Sequence, residues 1–426
     1  MRIGVVGKPN VGKSTFFSAL TLTSVDIANY PFCTIDPNIG IAYIPTRQPC
    51  PCRELRIRLE SEGRLEPANE DDPRKGSLCT PRTGMCIGHA RYIPISIVDI
   101  AGLVPGAHLG RGQGNAFLND LAQSDALIHI LDGAGSTDKE GQFIGAQTEA
   151  EKVQSLLVEE IEFFTHELDA WIAGILADGW TRGVRRVQAE GERGLISFLN
   201  ERLSGIGGSY QSTSNAYQSF MAQSLPSGKP WEWGDNELLA LATHMRKSLF
   251  PIVHAANKWD ISPHPALQSL PTTYIRPCMA DMELGLRRAA HSGLINYFPG
   301  ENDFTVSDVS IPSEAQLKAL HHMQDHVRQW DGTGVFSLLD YLAFDLLHHM
   351  VVYPVQDELH WVDGEGRILP DVLLVPNGSQ AKQIAYHVHT DLGDGFIRGI
   401  DGRTKRVVGA EHELKDNDIL KIHAKA

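Results

Sequence analysis

The run Gly7-Lys8-Pro9-Asn10-Val11-Gly12-Lys13-Ser14-Thr15 constrains the fold of this chain more than any other stretch. It fits G-x-x-x-x-G-K-[ST], and its flanks suit such a loop. Ile3, Val5 and Val6 ahead of it read as a short buried strand, and Ser14 to Leu20 behind it read as the first turns of a helix. Strand, glycine loop and helix N-terminus together form an anion cradle, because backbone N–H groups converge on phosphate oxygens. Lys8, Asn10, Val11, Gly12, Lys13, Ser14 and Thr15 are therefore assigned to nucleotide binding. Lys13 adds a catalytic point charge at the β/γ end, and the Ser14 hydroxyl is placed to ligate Mg²⁺.

Apolar strands recur downstream at Ile93–Ile100, Ala126–Leu131, Pro251–Ala256 and Tyr274–Met279. Near-continuous apolar strands alternating with helices predict an α/β fold with a mostly parallel sheet, its ligand at the carboxyl ends of the strands. At 426 residues the chain should divide into two or three domains. The nucleotide-binding domain is expected over 1–141 and 251–345. An insertion over 46–91, rich in Arg, Glu, Pro and Gly, interrupts it. A second insertion, 142–250, is mostly helical: Val153, Leu157, Ile161, Phe164, Leu168, Ile172 and Ile175 recur at gaps of three and four. Val184, Val187, Ile196, Leu199 and Leu203 continue the pattern after a turn, so a helical hairpin is predicted, followed by a loop over Ser204–Gly228. From 346 to 426 the texture changes to a small β-rich domain. Its strands are expected at Val351–Val355, Leu359–Val362, Val372–Pro376, Arg398–Ile400, Arg406–Val408 and Ile419–Ile422, with one helix at Ser379–Val388.

The net charge of −14 argues against a protein that coats nucleic acid non-specifically. No run reaches transmembrane length, and the first apolar stretch is the strand feeding the phosphate loop rather than a signal peptide. A cytoplasmic monomer with no membrane partner is expected.

Further motifs narrow the nucleotide. Asp99-Ile100-Ala101-Gly102 closes a strand: Asp99 is placed to hold Mg²⁺ through water, and Gly102 lets a backbone N–H reach the γ-phosphate. Thr34, in a loop soon after the first helix, is assigned to Mg²⁺ and to sensing the γ-phosphate, as ordered switch loops do. Asn257-Lys258-Trp259-Asp260 also follows a strand. A carboxylate at Asp260 accepts both the N1–H and the N2 amine of guanine, and adenine offers no matching donor pair. Asn257 should tie the base to the phosphate loop, and the Lys258 stem should lie along the ring. Met279-Ala280 stands where a Ser-Ala backbone contact to guanine is common, which leaves Ala280 as a weaker element.

These motifs, in this order, resemble the Obg class of GTPases, and more closely its YchF/Obg-like ATPase subfamily in the archaeal style. The resemblance rests on Gly7 to Thr15, Asn29 to Asn38, and Asp99 to His108 with its continuation Gly110 to Phe117. At the other end His389-Thr390-Asp391-Leu392-Gly393-Asp394-Gly395-Phe396 is similar to the family's TGS domain, a small β-grasp module. The resemblance implies a G domain split by a helical insert, a C-terminal TGS domain, and ribosome or RNA partners engaged through the TGS domain and the insert. Many YchF members carry an altered N-x-x-E base motif and prefer ATP. Asn257, Lys258 and Asp260 keep the guanine pattern, so GTP hydrolysis to GDP is expected, with ATP preference or a nucleotide-gated adaptor as the alternatives.

Ras-like GTPases place a water-orienting Gln directly after D-x-x-G. Leu103 occupies that position here, a hydrophobic replacement the family shares. His108, five residues on in a Gly-rich stretch, is a candidate to position water or act as a base. Asn10 matches the Asn that potassium-dependent relatives of this class use as a K⁺ ligand. Four of six cysteines, Cys50, Cys52, Cys79 and Cys86, fall in the first insertion. Their C-x-C and C-x₆-C spacing is irregular for Zn²⁺, and a structural Zn²⁺ and separate loop thiols both stand. The C-terminal domain holds more acidic than basic residues. Arg398, Arg403, Lys405 and Arg406 form its small basic cluster, readable as an RNA contact or a solvated strand edge.

Overall fold

The computed structural model describes residues 1–22, 38–69, 72–100, 120–261, 275–307 and 312–425, and the chain divides into two compact units. The first holds the described residues of Met1–Leu22, Ile35–Gly40 and Ser96–Leu338. The second holds those of Ile41–Ile95 and Leu339–Ala426.

Five strands of the main sheet in the first unit run parallel. The order is Ala90–Asp99 (through its Ser96–Asp99 end), Arg2–Val6, Ala126–Asp132, Ile252–Asn257, Ile275–Pro277. Val5 lies opposite Asp99, Val6 opposite His129, and Asp132 opposite Asn257. All the strands therefore end on one edge, where the chain turns into the motif residues. The central strand Ala126–Asp132 is buried along its whole length, which is why its sequence is apolar without alternation.

The predicted hairpin is present as helices Ala150–Ala177 and Trp180–Leu203, joined at Gly179 with φ 77°. The second helix breaks at Gly191, whose φ of 65° and ψ of −150° suit a residue without Cβ. The insert has no separate core: Phe164, Leu168, Ile172 and Phe250 share one cluster with Val6, Val98 and Leu127 of the sheet. The loop expected over Ser204–Gly228 contains a helix, Tyr210–Gln223. Its Ser209 and Ser212 form a reciprocal cap, and Thr213, Ala216, Tyr217 and Phe220 bury one face at gaps of three, one and three. The Ser and Gln content concealed that stripe.

The second unit carries a mixed sheet ordered Leu373–Pro376, His349–Val355, Asp418–Ala424, Phe396–Asp401, Val407–Val408. The two central strands are parallel and the rest antiparallel. Helix Ala381–Val388 packs Ala381 and Ile384 against Val352, Val375 and Leu420. The strand expected over Leu359–Val362 is instead a turn. Asp357 Oδ1 accepts the N–H groups of Leu359 and His360, and only isolated bridges form, from Val362 to Asp357 and Ile368. The cysteine segment, expected as an insertion in the nucleotide domain, groups with this unit. Thr80 N–H donates to Ile368 O at 2.8 Å and Arg82 N–H to Pro370 O at 3.0 Å, while the Arg82 guanidinium pairs with Asp363 and Asp371. Backbone pairing between segments so far apart in sequence leaves no periodic signal.

Candidate nucleotide site

The phosphate loop leaves strand Arg2–Val6 and enters helix Lys13–Thr21 at Gly12. Gly7 and Gly12 have φ of 150° and 98°, and neither has room for a side chain. A Cβ on Gly7 would stand 2.5 Å from Ile130 O, and one on Gly12 would stand 2.3 Å from Asn257 Nδ2. The second clash shows that the base motif is seated on the loop. Val11 is buried beneath it, Ser14 is exposed in the first turn of the helix, and Thr15 is half-buried. Lys13 Nζ donates to Lys8 O at 2.8 Å, folding its side chain back across the loop. Burial lowers the Lys13 pKa, and the negative charges of Asp99 and Glu160 oppose that. Burial likewise raises Asp99, and Lys13 opposes it. Asp99 ends its strand at the same edge, so a carboxylate and an ammonium face one compartment with the Ser14 hydroxyl nearby in sequence.

Asn257 bonds directly to the phosphate loop. Its Nδ2 donates to Val11 O at 2.9 Å and its Oδ1 accepts the Ala280 N–H at 3.0 Å. One amide thus joins the loop to the start of helix Ala280–His291. The Ala280 N–H is engaged by this bond. Lys258 has φ 63°, and its ammonium is held by Asp132 at 3.1 Å and Ser136 Oγ at 3.0 Å, which fixes the stem. Trp259 is buried, and its backbone N–H donates to Cys278 O at 3.2 Å. This anchors the turn that delivers half-buried Asp260.

Several site residues were missed at the sequence level. Glu160, from the first insert helix, pairs with Lys8 at 3.0 Å, and the Lys8 ammonium also reaches Thr137 O. Lys8 therefore spends its charge on the insert. Glu160 falls three residues after Leu157 and four before Phe164, so a carboxylate on the apolar stripe was the available signal. His129 and His254, behind the loop, are held neutral by burial, His254 down at about 4. His129 stacks on Phe164 at 4.3 Å and serves as core. Asp132 accepts from Ser136, Thr137 and Lys258, a hub that no motif announced. The Asn10 amide donates to Gly141 O at 3.0 Å with φ 62°, which fixes the loop's shape. Thr34, Gly102, Leu103 and His108 lie outside the described residues.

Elsewhere, the Sγ atoms of Cys50, Cys52, Cys79 and Cys86 all lie within 4.8 Å of one another, and all four are buried. The basic cluster at the C-terminus is partly spent internally. Arg403 pairs with Glu54 at 2.9 Å, and the Lys405 ammonium donates to the carbonyls of Gly402 and Glu358. That favours the solvated-edge reading for those two residues.

Family models match along the chain: 50S ribosome-binding GTPase at residues 2–161, the G4 motif-containing domain of Obg-like GTPase YGR210-like at 255–357, and the TGS domain at 363–424. An uncharacterised GTP-binding protein of Methanocaldococcus jannaschii is 41% identical over 428 residues, covering 99% of this chain and 98% of that protein. The chain belongs to the YchF-type Obg-like GTPases. The resemblance drawn from the motifs therefore holds for the whole length, as does the α/β G-domain fold with a C-terminal TGS domain. Among solved structures, this Obg-like chain matches a GTP binding protein from Pyrococcus horikoshii with a TM-score of 0.70 and 34% identity, over 100% of both chains. The ribosome-binding ATPase YchF of Haemophilus influenzae is 38% identical over 132 residues, 30% of this chain and 28% of that protein. Among the described residues, no helix is long and apolar enough to cross a membrane.

Proposed function

We propose that this protein binds GTP at the carboxyl edge of the parallel sheet and hydrolyses it to GDP and phosphate, as a switch that acts on the ribosome. The observation that carries the nucleotide reading is the Asn257 bridge between Val11 O and Ala280 N–H. It sets the base motif against the phosphate loop, so one bound molecule meets Lys13 at its phosphates and Asp260 at its base. The Asp260 carboxylate accepts from guanine N1–H and N2, and the fixed Lys258 stem flanks the ring.

The donors at this edge fit Mg²⁺. The exposed Ser14 hydroxyl and the Asp99 carboxylate are hard oxygen ligands of the kind Mg²⁺ takes alongside phosphate. When bound, the ion offsets charge on the β- and γ-phosphates. The Lys13 ammonium stabilises charge building on the β–γ bridging oxygen as that P–O bond breaks, and the incoming water ends on the γ-phosphate. Thr34 and Gly102 read the γ-phosphate from sequence position, and Leu103 cannot polarise water. The water is positioned by His108; Asn10, whose side-chain oxygen is left over when its amide donates to Gly141, would hold a K⁺ that would offset γ-phosphate charge. The 50S ribosome-binding GTPase model over residues 2–161 supports the ribosomal partner.

Competition binding of GDP against ADP tests the nucleotide. Hydrogen bonds to a charged group contribute about 1.5–3 kcal/mol each, so Asp260→Asn should weaken GDP by on the order of a hundredfold and leave ADP nearly unchanged. Equal effects on the two nucleotides would sink the guanine reading. The ATPase named among the relatives supplies the second reading, which wins if the wild-type chain prefers ADP.

A further inference from the structure

In the second unit, four thiols arrive from separate places. Cys50 precedes helix Cys52–Ser61, Cys52 opens it, Cys79 lies in the following loop, and Cys86 sits on the short strand Cys86–Ile87. Cys50 and Cys79 Sγ are 3.2 Å apart, Cys52 and Cys86 Sγ 3.8 Å, and no pair in the group exceeds 4.8 Å. A tetrahedral Zn²⁺ with Zn–S of about 2.3 Å sets its sulfurs about 3.8 Å apart. A disulfide needs about 2.05 Å and selects one partner for each thiol. Here each sulfur has the other three within 4.8 Å, as a four-coordinate site requires.

The surroundings support the same assignment. His89 Nδ1 lies 3.3 Å from Cys52 Sγ and Ser77 Oγ 3.6 Å from Cys86 Sγ, polar groups of the kind that orient metal thiolates. Arg91 stands directly across the strand pair from Cys86, so the two side chains share a face. Arg91 is fully buried. Its Nη2 donates to Pro370 O at 2.9 Å, while Nε and Nη1 have no partner among the described residues. The Tyr353 hydroxyl, also buried, lies beside Cys50. A buried guanidinium is costly without a counter-charge. The Asp371 carboxyl acts on Arg91 as one such charge, and one Zn²⁺ with four thiolates, at a net charge of −2, would add a second.

We propose that Cys50, Cys52, Cys79 and Cys86 bind one structural Zn²⁺, which fixes the 46–91 segment where Thr80 and Arg82 pair with Ile368 and Pro370 of the TGS module. All four positions are taken by buried sulfur, so no coordination site is open for catalysis.

The test uses the full chain purified without chelator. Elemental analysis should find one zinc per chain, and replacement by Co²⁺ should give the d–d bands of a tetrahedral site with thiolate charge transfer. The double variant Cys52→Ser/Cys86→Ser should lose the zinc and the cobalt spectrum, with GDP binding by the first unit as its folding control. Metal-free wild-type protein would overturn the proposal. So would iron in place of zinc, thiols that prove disulfide-linked under denaturing alkylation, or a double variant that folds and still holds a full equivalent of zinc.

Discussion

Glu160 is a carboxyl closed off from water beside the phosphate loop, and burial raises its pKa to about 7 against the partial opposition of Lys8. The folded value lies above the ordinary 4.5, so the folded state holds this proton more tightly than the unfolded chain. Its contribution to stability is full below pH 4.5, declines as pH rises, and is lost above about 7. The shift corresponds to a span of about 3 kcal/mol. Glu160→Gln has no such titration, so relative to that variant the nucleotide-free wild type should lose stability between pH 4.5 and 7 and then level off. Urea midpoints for both proteins across pH check this, and parallel curves would rule it out. At this scale the sequence spoke where a residue acts through a fixed motif. Asn257, singled out by N-K-x-D, joins Val11 to Ala280. Glu160 and the Asp132–Lys258 pair stayed silent because their partners come from other elements.

At the scale of elements, the helical insert shows how polar residues tie amphipathic helices together. Asp169, on helix Ala150–Ala177, accepts from Arg246 Nε at 2.6 Å and Thr243 Oγ1 at 2.8 Å, both on helix Asp235–Leu249. The ion pair is almost entirely buried. Removing one member of such a pair strands the other charge and typically costs about 3–5 kcal/mol. Asp169→Ala should therefore lower stability by about that amount, while Asp169→Ala/Arg246→Leu recovers a large part of it. Denaturant unfolding of the two variants decides the point; a double variant no more stable than the single would show that the helices are held by packing alone. The hairpin itself was legible, because its apolar residues recur at helical spacing on one chain segment. The helix Tyr210–Gln223 was not, because its four buried positions are diluted by Ser and Gln that face water.

At the scale of the whole molecule, the described residues of the candidate nucleotide site lie in one compact unit and the cysteine cluster in the other. A net charge of −14 sets the terms for any ribosomal contact: binding has to come from local cations and should weaken as salt rises. Co-sedimentation with 50S subunits should retain more protein with a non-hydrolysable GTP analogue than with GDP. Equal pelleting in the two states would remove the ribosomal switch and leave the adaptor reading. The sequence by itself determined the α/β class, the phosphate loop and the base motif, because each is written in contiguous residues whose spacing follows from backbone geometry, and it carried the resemblance to the TGS domain. Only the tertiary structure decided that Gly12 has no room for a side chain because Asn257 lies against it, and that Lys8 turns to Glu160. It alone also decided that four irregularly spaced cysteines meet in one place. Those facts depend on contacts between segments tens to hundreds of residues apart, which local periodicity does not encode. The phosphate loop fixes what the first unit can hold, and the fold around it fixes which side chains are left free to hold it.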